Sequence, residues 1–397
     1  MKKFVSALAL TLVLVMTMAC LTACGSEKPN TPAPRDSSAE LSGEAVKVGV
    51  VVPLTGAQAI FGEDLRHGME LAVEKVNAEG GVLGGKLELV IEDDATQAAQ
   101  SATAATKLIV QDKVAAIVGT NGSSGSLAMM EVADQYGIPL LVPGASSPLL
   151  TNSGSKWIST TCQGDELQIE MLVSYAKEYF GVNKLGLLYS NDDYGVGGYN
   201  LTAAAAESTG VDLVAEAFMG DDQNFTAVLS KLKDADVDAV MMWCLYTPGS
   251  LICKQISEMG WDVPVFGGAG MVNSAVFELS GDTCDGVMMT AVYLDPDPDS
   301  DASQFTATYK ERYGNDPSYA SVHAYDTICL LASAINTVGS TDAEAVQAQI
   351  RSTSGFETLK GPITIEKDTG KFICELRLIE FNTDTHTIDY VDMDSLS

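Results

Sequence analysis

Val46-Lys-Val-Gly-Val-Val-Val52 and Lys184-Leu-Gly-Leu-Leu-Tyr189 open two stretches that repeat one pattern, over residues 46–145 and 184–270. In the first, the β-branched run leads through a loop to Phe61-Gly62 and a helical segment over 64–77; in the second, a loop leads to Tyr194-Gly195 and an Ala-rich helix ending near Gly210. Each copy continues with a strand that runs into paired acids, over 87–94 and 211–222, then a helix and an apolar strand, over 114–119 and 237–243. Each then adds a helix and a strand entering a Gly-rich loop, Ile138-Pro-Leu-Leu-Val-Pro-Gly-Ala145 and Val263-Pro-Val-Phe-Gly-Gly-Ala-Gly270. Strand-like runs alternating with helices at this spacing predict an α/β fold of two Rossmann-like lobes, each a parallel sheet flanked by helices. Ligands of open parallel sheets bind outside the carboxyl ends of the strands. The loops of the two lobes are therefore expected to face each other across one cleft.

The chain of 397 residues is 46% hydrophobic, enough for two or three domains with sizeable cores. Its formal charge is -30, and loss of Lys2 and Lys3 with a leader makes it two units more negative. Such a field repels phosphate backbones, which argues against nucleic-acid binding; the acids read as a solvated surface.

Met1-Lys2-Lys3 followed by a short apolar run has the form of a secretory signal over 1–23, too short for a membrane span. Leu21-Thr-Ala-Cys24-Gly-Ser resembles a bacterial lipobox, which would make Cys24 the lipidated mature N-terminus. Residues 24–43, mostly Ser, Pro, Ala and Glu, read as a flexible tether. Export permits disulfides among Cys162, Cys244, Cys253, Cys284, Cys329 and Cys374, but no pairing follows from the spacing, and no CxxC suggests zinc. Cys244 and Cys329 stand in apolar runs and read as small buried residues.

Catalytic groups are scarce. His67, His323 and His386 are the only histidines, each expected in a solvated or capping role. No GxSxG, HExxH, GxxxxGK[ST] or strand-to-helix GxGxxG is present, so no enzyme, cofactor or metal site is expected. Groups that hold an anion without reacting with it are more plentiful. Thr120-Asn-Gly-Ser123-Ser-Gly-Ser126 precedes a helix expected near Leu127, and Pro143-Gly144-Ala145-Ser146-Ser-Pro148 forms a second such loop. Free N–H groups at helix starts attract carboxylates, although Ser123 and Ser146 equally suit plain N-capping. Phe61, Tyr194 and Tyr246 lie in strand-to-helix loops, where aromatic rings suit a cleft wall.

Residues 46–381 resemble the type I periplasmic binding proteins of ABC importers, and within them the branched-chain amino acid binding proteins. The likeness rests on Val-Gly-Val-Val-Val-Pro-Leu-Thr55-Gly, Phe61-Gly62, Asn77-Ala-Glu-Gly-Gly-Val-Leu-Gly-Gly85, Asp93-Asp94, Tyr194-Gly195 and Gly361-Pro362. The resemblance implies a small amino acid or related carboxylate as ligand, no cofactor, ABC permease subunits as partners, a monomer, and an extracytoplasmic location. It places the ligand carboxylate on Ser123, Ala145 and Ser146 with Gly144 beside them, the apolar group near Phe61, and Tyr194 and Tyr246 on the closing lobe. Where the family carries a glutamate for the ligand ammonium, this chain has Ala269. Either the ligand lacks an ammonium group, or Asp165, Asp192 or Asp193 supplies the charge. The resemblance further implies lobe 1 over 44–161 and 294–361, lobe 2 over 162–293 and 362–397, and three crossings, at 160–165, 291–296 and 360–362. The same fold also serves as a ligand sensor without transport.

Overall fold

The computed structural model describes residues 43–292, 294 and 297–391. The expected signal segment, Cys24 and all of the tether but Gly43 lie outside the described residues.

The first lobe carries β1 (Val46–Val52), α1 (Ala59–Ala78), β2 (Leu87–Asp93), α2 (Ala98–Lys107), β3 (Ile117–Gly119), α3 (Ser123–Tyr136), β4 (Leu140–Val142), α4 (Pro148–Thr151) and β5 (Ile158–Thr160). The second carries α5 (Asp165–Phe180), β6 (Lys184–Ser190), α6 (Asp193–Thr209), β7 (Asp212–Phe218), α7 (Thr226–Asp234), β8 (Ala239–Trp243), α8 (Tyr246–Glu258), β9 (Val265–Gly267), α9 (Ala275–Ser280) and β10 (Met288–Val292). Strand order is β2-β1-β3-β4-β5 in one sheet, and β7-β6-β8-β9-β10 runs through the other. The two copies read in the sequence are thus one topology used twice, and the order reverses between β1 and β3 and between β6 and β8. Crevices at such reversals are where open sheets bind ligands.

Alternation along β1 separates two cores. Val48, Val50 and Val52 join Phe61, Leu65, Met69 and Ala72 of α1 in one cluster, whereas Val51 joins Ala105, Leu108 and Met129 in another. Spacings of three and four in α1 meet a spacing of two in β1, as burial of one face of each element requires. Each of the Val, Leu, Met and Phe side chains among them contributes about 1.5–3 kcal/mol on full burial.

The remaining elements are α10 (Asp301–Tyr313), α11 (Tyr319–Val338), α12 (Ala343–Arg351), β11 (Ser354–Thr358), β12 (Gly361–Ile365), β13 (Phe372–Ile373), β14 (Leu376–Asn382) and β15 (Thr387–Tyr390). Helix α11 packs on α1 through Ala324, Ile328 and Leu331. Strands β11, β12 and β13 make a small sheet of their own. Strand β14 pairs antiparallel with β10, and β15 with β14, so the second sheet is parallel only as far as β10. The two added strands cover what would otherwise be an open parallel edge.

Between the sheets the chain passes at 161–164, between β10 and α10, and between β13 and β14. The first passage, and Lys360 just before β12, pack on α11 through buried polar contacts. Thr161 Oγ1 and Thr327 Oγ1 are 2.6 Å apart, Lys360 Nζ lies 2.8 Å from Asp326 Oδ2, and His323 Nε2 donates to Gln163 Oε1 at 2.6 Å. His323 is fully buried, not solvated or capping as its sequence position suggests. Burial and the nearby Lys360 charge hold its pKa well below the ordinary value, so the ring is neutral. Cys244 is fully buried as expected, Cys329 is half-buried, and all six described cysteines are free.

Candidate functional site

Phe61-Gly62 and Tyr194-Gly195 match because both glycines sit where a helix start presses on the strand before it. A Cβ on Gly62 would lie 2.0 Å from the Pro53 carbonyl oxygen, and one on Gly195 would lie 1.9 Å from that of Ser190. No other residue allows that approach. The glycines bring the first turns of α1 and α6 to the carboxyl ends of β1 and β6, on the two sides of the cleft. The aromatics beside them then part company. Tyr194 lines the cleft, whereas Phe61 is fully buried behind it.

Between the lobes lies a cavity of about 190 Å³. Sites for drug-sized ligands occupy roughly 300–1,000 Å³, so this space suits a molecule the size of one amino acid. Gln58, Thr120, Asn121, Ser123, Gly144, Ala145 and Ser146 form the first lobe's wall; Asp192, Tyr194, Leu245, Ala269 and Gly270 form the second's; Cys162, Gln163, Gln168 and Tyr319 complete it. Six of the residues expected from sequence are brought together here: Ser123, Gly144, Ala145, Ser146, Tyr194 and Ala269.

Phe61 and Tyr246 are not among the lining residues. Their rings meet edge to face across the lobes at 5.5 Å, and Phe61 also packs on Tyr319 at 5.5 Å. Leu245 takes the wall position expected of Tyr246. A Cβ on Gly197 would come within 3.4 Å of Ser147 Oγ and 3.8 Å of Pro148 Cδ, so α6 also touches the first lobe directly. The arrangement is closed. In a double-mutant cycle on ligand affinity, Phe61→Ala and Tyr246→Ala should couple by about 0.5–1.5 kcal/mol, the range for aromatic pairs; independent effects would contradict a ring contact that forms on closure.

Helix α3 begins at Ser123, four residues before the sequence suggested, because the Gly-Ser run carries no apolar period to mark its first turn. Gly122 occupies the N-cap without a side-chain bond, and Ser147 caps α4. Neither Ser123 nor Ser146 is spent on capping. The first-turn N–H groups of α3, which have no intrahelical acceptor, open on the cavity with the positive end of the helix dipole.

Among the described residues, no lysine, arginine or histidine lines the cavity. Of its two carboxylates, Asp94 accepts from Thr96 N at 2.9 Å and Ser101 Oγ at 2.9 Å, and Asp192 accepts from Gly195 N at 2.8 Å and Ser190 Oγ at 3.0 Å. Asp193 is exposed and does not line the space. Asp165, at the start of α5, is fully buried in a recess that Glu166 and Lys371 also line and whose wall shares Ser146 and Cys162 with the cavity. Burial pushes its carboxyl up to about 7, against the Ser146 hydroxyl, which favours the charged form. Its charge acts on both Tyr194 and Tyr319, so its field reaches the ligand space.

Ala269 leaves its position without charge, and its N–H donates to Gln168 Oε1 at 3.1 Å, which also accepts from Thr290 Oγ1 at 3.2 Å. Thr120 Oγ1, Asn121 Oδ1, Asp165 Oδ2 and the Tyr194 hydroxyl are buried without a hydrogen-bond partner. Each such group costs about 1–3 kcal/mol unless something pairs with it. They include acceptors and donors alike. Gln58, Gln163, Gln168 and Tyr319 escaped the sequence reading; Tyr319 opens a helix well after both Gly-rich loops, and nothing local ties it to them.

Residues 45–386 match the periplasmic binding protein family. A Leu/Ile/Val-binding protein of Rhizobium johnstonii is 28% identical over 330 residues, covering 82% of this chain and 89% of its own. The isoleucine complex of a branched-chain amino acid binding protein from Streptococcus pneumoniae superposes with a TM-score of 0.80 at 26% identity, covering 88% of this chain and 99% of that one. A solute-binding protein from Rhodopseudomonas palustris in complex with 3,4-dihydroxybenzoic acid gives 0.77 at 26% identity, covering 85% and 93%. With this fold, this cleft and a family match along most of its length, the chain belongs to the periplasmic binding proteins, extracytoplasmic solute-binding proteins rather than enzymes, and within them it is similar to Leu/Ile/Val-binding proteins.

Proposed function

We propose that this protein captures a small α-amino acid with an apolar side chain, of the leucine, isoleucine and valine class, and delivers it to the permease subunits of an ABC importer. The observation that carries this reading is the polarity of the cleft: buried unpartnered donors and acceptors, a helix start, a buried carboxyl in the adjoining recess and, among the described residues, no cationic side chain on the cavity wall. A zwitterion matches that set. Its carboxylate sits on the first turn of α3 with Ser123 and the loop of Gly144, Ala145 and Ser146. Its ammonium faces the field of Asp165, which stands in for the charge absent at Ala269. Its side chain lies against Leu245 and Tyr319.

Lobe 1, built on β1 to β5, binds first; lobe 2, built on β6 to β10, closes over the ligand with Tyr194, and Phe61 then meets Tyr246. The ligand favours closure through contacts present only in the closed form. The protein works as a monomer held to the outer face of the membrane by lipid on Cys24, where two or more acyl chains give firm anchoring. Ala269 supports a second reading, a carboxylate without an amine, like the benzoate bound by the Rhodopseudomonas relative.

Thermal-shift screening of residues 44–397 separates the two. A ligand at 100 times its Kd stabilises by about 2.7 kcal/mol. Leucine, isoleucine or valine should raise the transition, and Ser123→Ala should reduce the shift at equal ligand concentration. Stabilisation by amine-free acids alone would overturn the amino-acid reading.

A further inference from the structure

A second interlobe space, a groove of about 520 Å³, meets the ligand cavity at Tyr319. Ile60, Asp64 and Val322 wall it from the first lobe, and Val272, Phe277 and Ile388 from the second. Tyr319 borders both spaces. Its ring is held by Phe61 at 5.5 Å on one side and His323 at 5.9 Å on another, and it opens α11, the helix that packs along α1. An aromatic so braced does not turn aside for a longer ligand without breaking packing that both lobes share.

We infer that Tyr319 is the partition that sets how long a side chain the cleft admits, and that the groove behind it is a subsite for an apolar extension of the ligand. The groove suits a hydrocarbon or aryl extension because aliphatic and aromatic side chains supply most of its walls. Asp64, its buried acid, already accepts the Tyr309 hydroxyl at 2.9 Å, and burial raises its pKa. Like the ligand cavity, the groove is bounded by both lobes, so closure shapes the two together. Removing the ring joins a space for a leucine-sized side chain to one several times larger.

The inference takes its head group from the amino-acid reading, and its test keeps the two apart. Affinities of leucine and phenylalanine, and of their amine-free counterparts 4-methylpentanoate and 3-phenylpropanoate, are measured for the wild type, Tyr319→Phe, Tyr319→Leu and Tyr319→Ala. Pocket size discriminates by roughly 10–200-fold per group. The ratio of phenyl to isobutyl affinity should therefore rise about 10-fold or more in Tyr319→Ala and Tyr319→Leu, and stay within about 2-fold in Tyr319→Phe. An unchanged ratio in variants that melt cooperatively would overturn the inference. If neither head-group series binds the wild type, the amino-acid reading fails, and the crystal structure of Tyr319→Ala decides the partition: one continuous space upholds it, two separate spaces refute it.

Discussion

Asp165→Asn is expected to weaken leucine binding at pH 8 by roughly 30-fold or more and to flatten its pH dependence. Losing one member of a buried charge pair costs about 2–5 kcal/mol, and every 1.4 kcal/mol is about tenfold in affinity. The native carboxyl titrates at about 7, because burial outweighs the Ser146 hydroxyl. Below that pH the ligand-free protein carries a neutral acid, and an ammonium must displace its proton before it is attracted. Wild-type affinity should thus fall about tenfold per pH unit below 7 and level off above 8. The asparagine variant, already neutral, should show no such slope.

Stability should respond in the opposite sense. The native acid holds a proton from its ordinary value of 3.8 up to about 7, where the unfolded chain has lost it. The native state therefore binds more protons in that window, and this group's contribution to stability is lost as pH rises through it. Denaturant midpoints of the ligand-free protein at pH 5 and pH 8 check the sign; a difference that Asp165→Asn leaves unchanged would assign the effect to another group.

Lys360→Met should destabilise the protein by about 3–5 kcal/mol, the cost of leaving a buried carboxylate without its partner. Lys360 and Asp326 are only 1% and 4% exposed. Asp326 Oδ1 is held by Leu359 N at 3.0 Å, and the Lys360 ammonium lies 5.0 Å over the Phe372 ring. Every neighbour thus assumes the charge is present. A buried pair replaced whole by apolar residues is often neutral or stabilising, so Lys360→Met with Asp326→Leu should recover most of the loss. Urea denaturation of the single and double variants tests this, and additive losses would contradict it.

The pattern of alternating runs was enough to read the α/β fold and its duplication, because β1 and β6 must bury β-branched or leucine side chains on both faces, and Gly62 and Gly195 repeat one steric demand. Periodicity could not separate Phe61 from Tyr194. Their sequence neighbourhoods are alike, but one ring faces the Tyr246 ring of the other lobe and the other faces the cavity. That the serine loops wall the cleft was legible from their residue types and their place after strands. Gln168, Tyr319 and the burial of His323 were not, since each depends on how α5 and α11 pack against the chain passages, a relation between distant segments. The antiparallel pairing of β14 with β10 and β15 escaped for a similar reason: nothing in the residues of β14 names β10 as a partner.

On the proposed reading, the cleft recognises a zwitterion without a glutamate at Ala269. Calorimetric titration of the unfolded-and-refolded, ligand-stripped protein with leucine and with 4-methylpentanoate at pH 8 tests it most directly. The account predicts that leucine binds the tighter by roughly 30-fold or more, the share of affinity assigned to its ammonium. Equal or tighter binding of 4-methylpentanoate would show that the cleft reads only a carboxylate and an apolar tail, and would contradict the role given to Asp165.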